Sequence, residues 1–152
     1  MKAWQPADAD YAQRVAASFA RQPAMATLGA RLDAVAPGRV DIVQTHRAEL
    51  TQQHGFLHAG VVATVLDSAC GYAAYALMPA EAAVLTIEFK INLLAPARGP
   101  HFRFVGQVTK AGRTISVVDG QAFQGSAPGQ EDSLFATMTA TVMTVLDRGL
   151  DG

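Results

Sequence analysis

Residues 59–80 read AGVVATVLDSACGYAAYALMPA, and Asp67 is the one charged side chain among them. Apolar residues fall on every side of a 3.6-residue period, so the stretch is expected to form a helix with no wet face, wrapped by the rest of the fold. Its length would also suit a bilayer span. Against that, Ala is its commonest residue and it holds Gly60, Thr64, Ser68 and Gly71. A central Asp costs roughly 2.5–3.5 kcal/mol on insertion scales. The nearest basic residues, Arg47 and Lys90, stand too far off to act as flanking anchors. No membrane partner is expected. A carboxylate inside a buried helix is costly unless it is paired, neutralised or turned toward a ligand cavity. Asp67 is therefore the first candidate for function.

Working outward, the period changes from 3.6 to 2 after Pro79. In Val84–Ala95 the odd positions Leu85, Ile87, Phe89, Ile91 and Leu93 are apolar, and the even positions Thr86, Glu88, Lys90 and Asn92 are polar. That predicts a long antiparallel strand with its odd face on a core and Thr86 on the polar face. Pro96 to Pro100 breaks it. Three more strands are expected at His101–Thr109, Arg113–Gln124 and Ser133–Leu146, separated by Lys110-Ala111-Gly112 and by GSAPGQED. Upstream, Asp8-Ala9-Asp10 can cap a helix through about Arg21, which Pro23 stops. Strand-like text runs from about Thr27 to Ala36, turns at Pro37-Gly38, and returns over Arg39–Arg47. The sum is α+β: one long helix wrapped by a curved antiparallel sheet of five to six strands, in a single domain over 1–152. A helical segment occupies 1–24, a flexible tail 147–152, and Gly106 and Gly120 are expected to ease the curvature of the sheet.

At 152 residues, half of them hydrophobic and 16% charged, the chain has ample material for one core. A net charge of −1 with no basic cluster argues against nucleic acid. A surface so poor in charge also suggests that part of it is covered in an oligomer. The single cysteine, Cys70, excludes a disulfide framework and reads as a cytosolic packing thiol. Met1–Pro6 carries no apolar run of the secretory kind, and a cytoplasmic protein is the expectation. The four His are scattered and no paired carboxylates stand at ligand spacing, so no metal and no other cofactor is expected.

The start of the helix is the second functional feature. His58-Ala59-Gly60 falls where backbone N–H groups lack intrahelical partners and where the dipole favours negative charge. Small residues there let a carbonyl approach, which is how an oxyanion hole is built from backbone. Asp67 lies eight residues beyond Ala59, about 12 Å along the axis at 1.5 Å per residue. One helix cannot serve a single carbonyl with both. A second copy running antiparallel across a two-fold axis can, so the spacing points to a site shared between chains.

From about Arg39 to Val145 the chain resembles the hotdog-fold acyl-CoA thioesterases, in particular their PaaI-like (phenylacetic acid degradation) branch. The likeness rests on His58-x-Gly60 followed by Asp67, on the small-residue helix, on the strand Leu85–Leu94 closed by Ala95-Pro96-Ala97, and on the turn Lys110–Thr114. It implies a hotdog fold and an acyl-CoA thioesterase, dimeric at least and tetrameric in the common case, with coenzyme A entering only as part of the substrate. Asp67 matches the catalytic carboxylate, as general base or nucleophile. The amide of Ala59, with that of Gly60, matches the donor to the thioester carbonyl, and Gln52 matches a site amide. Thr86 matches a Ser/Thr that orients water, and His58 the motif histidine, an orienting residue. Ala59 replaces the usual Gly and narrows the mouth. Arg98, Lys110 and Arg113 are candidates for the phosphates of coenzyme A, against the plainer reading of basic residues at strand ends. Two rivals remain at this point: a hotdog hydratase or dehydratase using His58, and an acyl-CoA-binding module without turnover.

Overall fold

The computed structural model describes residues 3–152, so the reading of Met1 and Lys2 lies outside the described residues. Two short helices, α1 (Tyr11–Ala20) and α2 (Pro23–Leu28), lead into β1 (Arg31–Ala36) and β2 (Arg39–Thr45). The long helix α3 (Ala59–Tyr75) follows, then β3 (Ala83–Leu93), β4 (His101–Lys110), β5 (Ile115–Gly125) and β6 (Ser133–Val145). The strands form one six-stranded antiparallel sheet in the order β1-β2-β4-β5-β6-β3. Helix α3 packs across its concave face against β2, β3, β4, β5 and β6. This is the hotdog arrangement. Among the described residues no helix is long and apolar enough to cross a membrane.

The expected strand from Thr27 begins only at Arg31. Pro23 does not simply end a helix: it stands at the first position of α2, where its missing N–H costs nothing. Gly29 closes α2 in the left-handed region at φ 66°, a conformation that favours Gly.

The core between α3 and the sheet is built from Val65, Leu66, Ala69 and Ala73 on the helix and Ile42, Phe102, Phe104, Val118 and Phe135 on the strands. Phe102, Phe104 and Phe135 pack ring on ring, with centroids 5.6 to 6.5 Å apart. Gly106 and Gly120, paired across β4 and β5, let the helix lie close. A Cβ on Gly106 would stand 2.2 Å from the Ala69 carbonyl oxygen, and one on Gly120 would stand 2.9 Å from Cys70 Sγ. Close approach of the helix requires Gly at these two positions.

Two expectations about exposure are corrected. Helix α3 does have an open stripe: Ala59, Gly60 and Thr64 are exposed, and Val61, Ala63 and Asp67 are half-buried. Strand β3 is the edge of the sheet, so its apolar side chains are not sealed in a core. Leu85, Ile87, Phe89 and Leu93 are 52%, 55%, 44% and 52% exposed.

Candidate active site

A bulge in β3 decides where Thr86 points. Thr86 pairs with Val142, but the next pairs are Glu88 with Thr141 and Phe89 with Ala140, leaving Ile87 as the extra residue. An inserted residue reverses which face each later side chain takes. Beyond the bulge, Phe89, Ile91 and Leu93 stand opposite the buried Ala140, Met138 and Ala136; before it, Thr86 stands opposite the buried Val142. Thr86 is therefore on the helix side and not on the polar outer face. Its hydroxyl donates to Asp67 Oδ1 at 2.8 Å.

Asp67 is half-buried two turns into α3, and burial pushes its carboxyl pKa up, while the Thr86 hydrogen bond opposes the shift. It opens on a cavity of about 370 Å³ bounded by α1, Gln22, α3, β3 and the C-terminal residues Leu150, Asp151 and Gly152. Cys70, one turn on, is fully buried, and burial drives its thiol pKa upward, which suits packing and not nucleophilic attack.

The first turn of α3 can be accounted for donor by donor. His58 is the N-cap, and its Nδ1 accepts the Gly60 amide at 2.9 Å. The amides of Val61 and Val62 both donate to the His58 carbonyl, at 2.9 and 3.2 Å. The Ala59 N–H has no partner among the described residues. Of the two amides expected to meet a carbonyl, that of Gly60 is thus occupied by the cap and that of Ala59 is open. An accepting Nδ1 places the proton of the neutral His58 ring on Nε2.

Gln52 lies beside Ala59. Its side-chain oxygen accepts the His54 amide, and its Nε2 donors meet no partner among the described residues. Both residues line a second cleft, of about 400 Å³, whose other walls include Phe56, Leu93, Leu94 and Phe135. The two clefts sit at opposite ends of β3: Leu85 and Thr86 border the one with Asp67, Leu93 and Leu94 the one with Ala59. Within one protomer the carboxylate and the free amide are kept apart.

The three basic candidates also separate. Arg98 lies over the Phe56 ring, 4.8 Å from its centroid, at the edge of the second cleft. Arg113 lies at the other end of α3, in a small groove with Ala74, Leu77 and Met78, and Lys110 ends β4 on that same turn. Ser18, Gln22 and Ser68, which border the Asp67 cavity, are not among the site residues expected from the sequence. Gln22 and Ser68 meet across 46 positions, and no local pattern marks such a pair. Among the described residues no three His, Cys, Asp or Glu side chains gather as a metal site would require.

A sequence model of the thioesterase superfamily matches residues 54–128, the stretch that carries the cap, α3 and Thr86. A thioesterase family protein from Silicibacter pomeroyi is 57% identical, over 90% of this chain and 98% of that one, with a TM-score of 0.86. The chain belongs to the thioesterase superfamily. The E. coli PaaI protein, from the phenylacetic acid degradation operon, shares the fold at a TM-score of 0.79 over 90% of this chain and 94% of its own, at 18% identity. A protein of Saccharolobus solfataricus named "Putative esterase" is 34% identical over 82 residues. That match takes in 54% of this chain and 58% of the relative, so the chain spans little more than half the length of that curated relative.

Proposed function

We propose that this thioesterase hydrolyses acyl-CoA thioesters at sites shared by two copies of the chain. The observation that carries the reading is the placement of two half-sites at the two ends of one edge strand whose outer side is open and whose apolar side chains are exposed. Antiparallel pairing of β3 with β3 of a second copy lays the Leu93–Leu94 end of one against the Leu85–Thr86 end of the other. Each Ala59 then faces the Asp67 of its partner.

In such a site the thioester carbonyl accepts from the Ala59 N–H, at the positive end of α3, and from Gln52 Nε2. Asp67 takes a proton from water, whose oxygen attacks the carbonyl carbon. The tetrahedral intermediate collapses, the carbon–sulfur bond breaks, and the thiolate leaves with the proton returned by Asp67. Thr86 fixes the rotamer of the carboxyl by donating to Oδ1. Nucleophilic attack by the carboxylate itself, through an anhydride that water then opens, uses the same groups. His58 holds the helix start and stands outside these steps, which weighs against a hydratase that would need it as a base. Arg98 is the cation best placed for a coenzyme A phosphate, being beside the Ala59 cleft.

The test is thiol release from short, medium, long and aryl acyl-CoAs by wild type and Asp67→Asn. Turnover that falls by at least about 10²-fold in the variant supports the reading. Water addition to an enoyl-CoA without thiol release would replace it with a hydratase, and tight binding with no turnover would replace it with a binding module.

A further inference from the structure

The loop between β3 and β4 is held by one side chain. Residues 94–100 form neither helix nor strand, so their backbone groups must find partners elsewhere. Gln124, at the end of β5, supplies three of them. Its cross-strand neighbour Phe102 is wholly buried and shares its face, which turns the Gln124 carboxamide to the helix side of the sheet. There Gln124 Oε1 accepts the amides of Arg98 and Gly99, at 2.8 and 2.9 Å, and Nε2 donates to the Pro96 carbonyl at 3.1 Å. Neither amide meets a backbone acceptor among the described residues. Two donors converge on one atom and a carbonyl on the other, so an acceptor and a donor are needed side by side, and a carboxamide is that group. The loop is pressed onto the same face: a Cβ on Gly99 would stand 2.8 Å from Phe102 Cζ.

What this loop carries is the rim of the Ala59 cleft. Leu94 to Ala97 form part of its wall, and Arg98 lies over Phe56 at its edge. The Ala97 carbonyl accepts the Leu57 amide at 2.9 Å, one residue before the His58 cap. Gln124 itself lines neither this cleft nor the one beside Asp67. We infer that Gln124 is a positioning residue: by pinning residues 96–99 it sets Arg98 at the mouth of the Ala59 cleft, to receive the phosphates of coenzyme A. The inference rests on the acyl-CoA reading and adds to it a residue 26 positions from Arg98 that touches no substrate. An arginine on a free loop must be ordered each time a ligand binds. One whose backbone is already fixed, with its guanidinium resting on an aromatic ring, loses less freedom for the same contact.

The experiment compares hexanoyl-CoA with hexanoyl-pantetheine, which lacks the nucleotide and its phosphates, in wild type, Arg98→Ala, Gln124→Met and Gln124→Glu. Wild type is expected to favour the CoA ester by at least about tenfold in kcat/KM, most of it in KM. Gln124→Met spans the same length without the hydrogen bonds, and its ratio should fall to about threefold or less, as in Arg98→Ala. Joining those two substitutions should lower it no further, since both act on one contact. Gln124→Glu keeps an oxygen for both amides and loses only the donor to Pro96, so its ratio should stay within about twofold of wild type. Because the readout is a ratio within one protein, a general loss of activity does not move it, and Gln124→Glu decides the matter should Gln124→Met fail to fold. The Kd of coenzyme A, measured by calorimetry, reads the same loop without turnover: it should weaken at least about threefold in Arg98→Ala and Gln124→Met but not in Gln124→Glu. No thiol release from either ester, with that Kd pattern intact, would sink the thioesterase reading and keep the positioning role. A wild-type ratio near one, a Gln124→Met ratio equal to that of wild type, or a Gln124→Glu ratio as low as that of Arg98→Ala overturns the inference.

Discussion

At Asp67 two demands on one side chain compete. A carboxylate withdrawn from water is disfavoured as an anion, and the only hydrogen bond offsetting this among the described residues is the one from Thr86. The folded pKa is therefore above that of the unfolded chain, so the native state keeps its proton to higher pH. Ionisation then costs stability as pH rises through the raised value. Two outcomes are expected. The acid limb of kcat/KM should have its midpoint above the ordinary aspartate range, measured by thiol release across pH. Asp67→Asn, which keeps an acceptor for Thr86, should melt higher than wild type at neutral pH by calorimetry, with the gain fading as pH falls toward the unfolded pKa. An unchanged or lowered melting temperature at pH 7 would mean that the carboxylate is not destabilising, and the pH argument would fail with it. The sequence made Asp67 conspicuous because a lone charge in an apolar helix has no bland surroundings to hide in. The spare amide of Ala59 was legible as one of a set, but which member of the set stays open depends on His58 Nδ1 reaching Gly60, a side-chain rotamer that spacing does not specify.

Strand β3 is where periodic reading went furthest and where it also failed. Its existence and length are written in the alternation from Leu85 to Leu93, since a period of 2 over that span has few other meanings. What alternation cannot encode is the bulge at Ile87, because residues on both sides of it still read apolar at odd positions. The bulge turns Thr86 inward and leaves Leu85 beside Met143 on the outer face. Nor does alternation say that the strand is an edge: topology alone puts β3 outside β6. The helix α2 was hidden for a related reason, as Pro23 reads equally as a stop or as a first turn. A long edge with exposed Leu85, Ile87, Phe89 and Leu93 invites pairing, and Glu88 and Lys90 are the only charges that blunt it among the described residues. Phe89→Glu places a carboxylate on it without touching Asp67, Thr86, Ala59 or Gln52. The expected result is a monomer by light scattering and a loss of at least about 10²-fold in thiol release, as each half-site loses its complement. A monomeric variant with full activity would show that one chain suffices.

Over the whole molecule, the same separation that keeps the carboxylate from the amide within a chain gives a direct way to ask whether chains cooperate. Asp67→Asn disables one half-site and Gln52→Ala weakens the other, and the two substitutions lie in different clefts. Co-expressed with different affinity tags and purified through both, the two variants yield a heterodimer. If sites are shared, one of its two sites collects both substitutions and is dead. The other combines the native Asp67 of one chain with the native Gln52 of its partner and is intact, so the heterodimer should recover about half of wild-type activity. Were each site confined to a single chain, every site in the heterodimer would carry one substitution and activity would stay at the mean of the two parents. The recovered fraction, read by thiol release at matched protein concentration, therefore distinguishes a shared site from a private one whatever acyl group proves best.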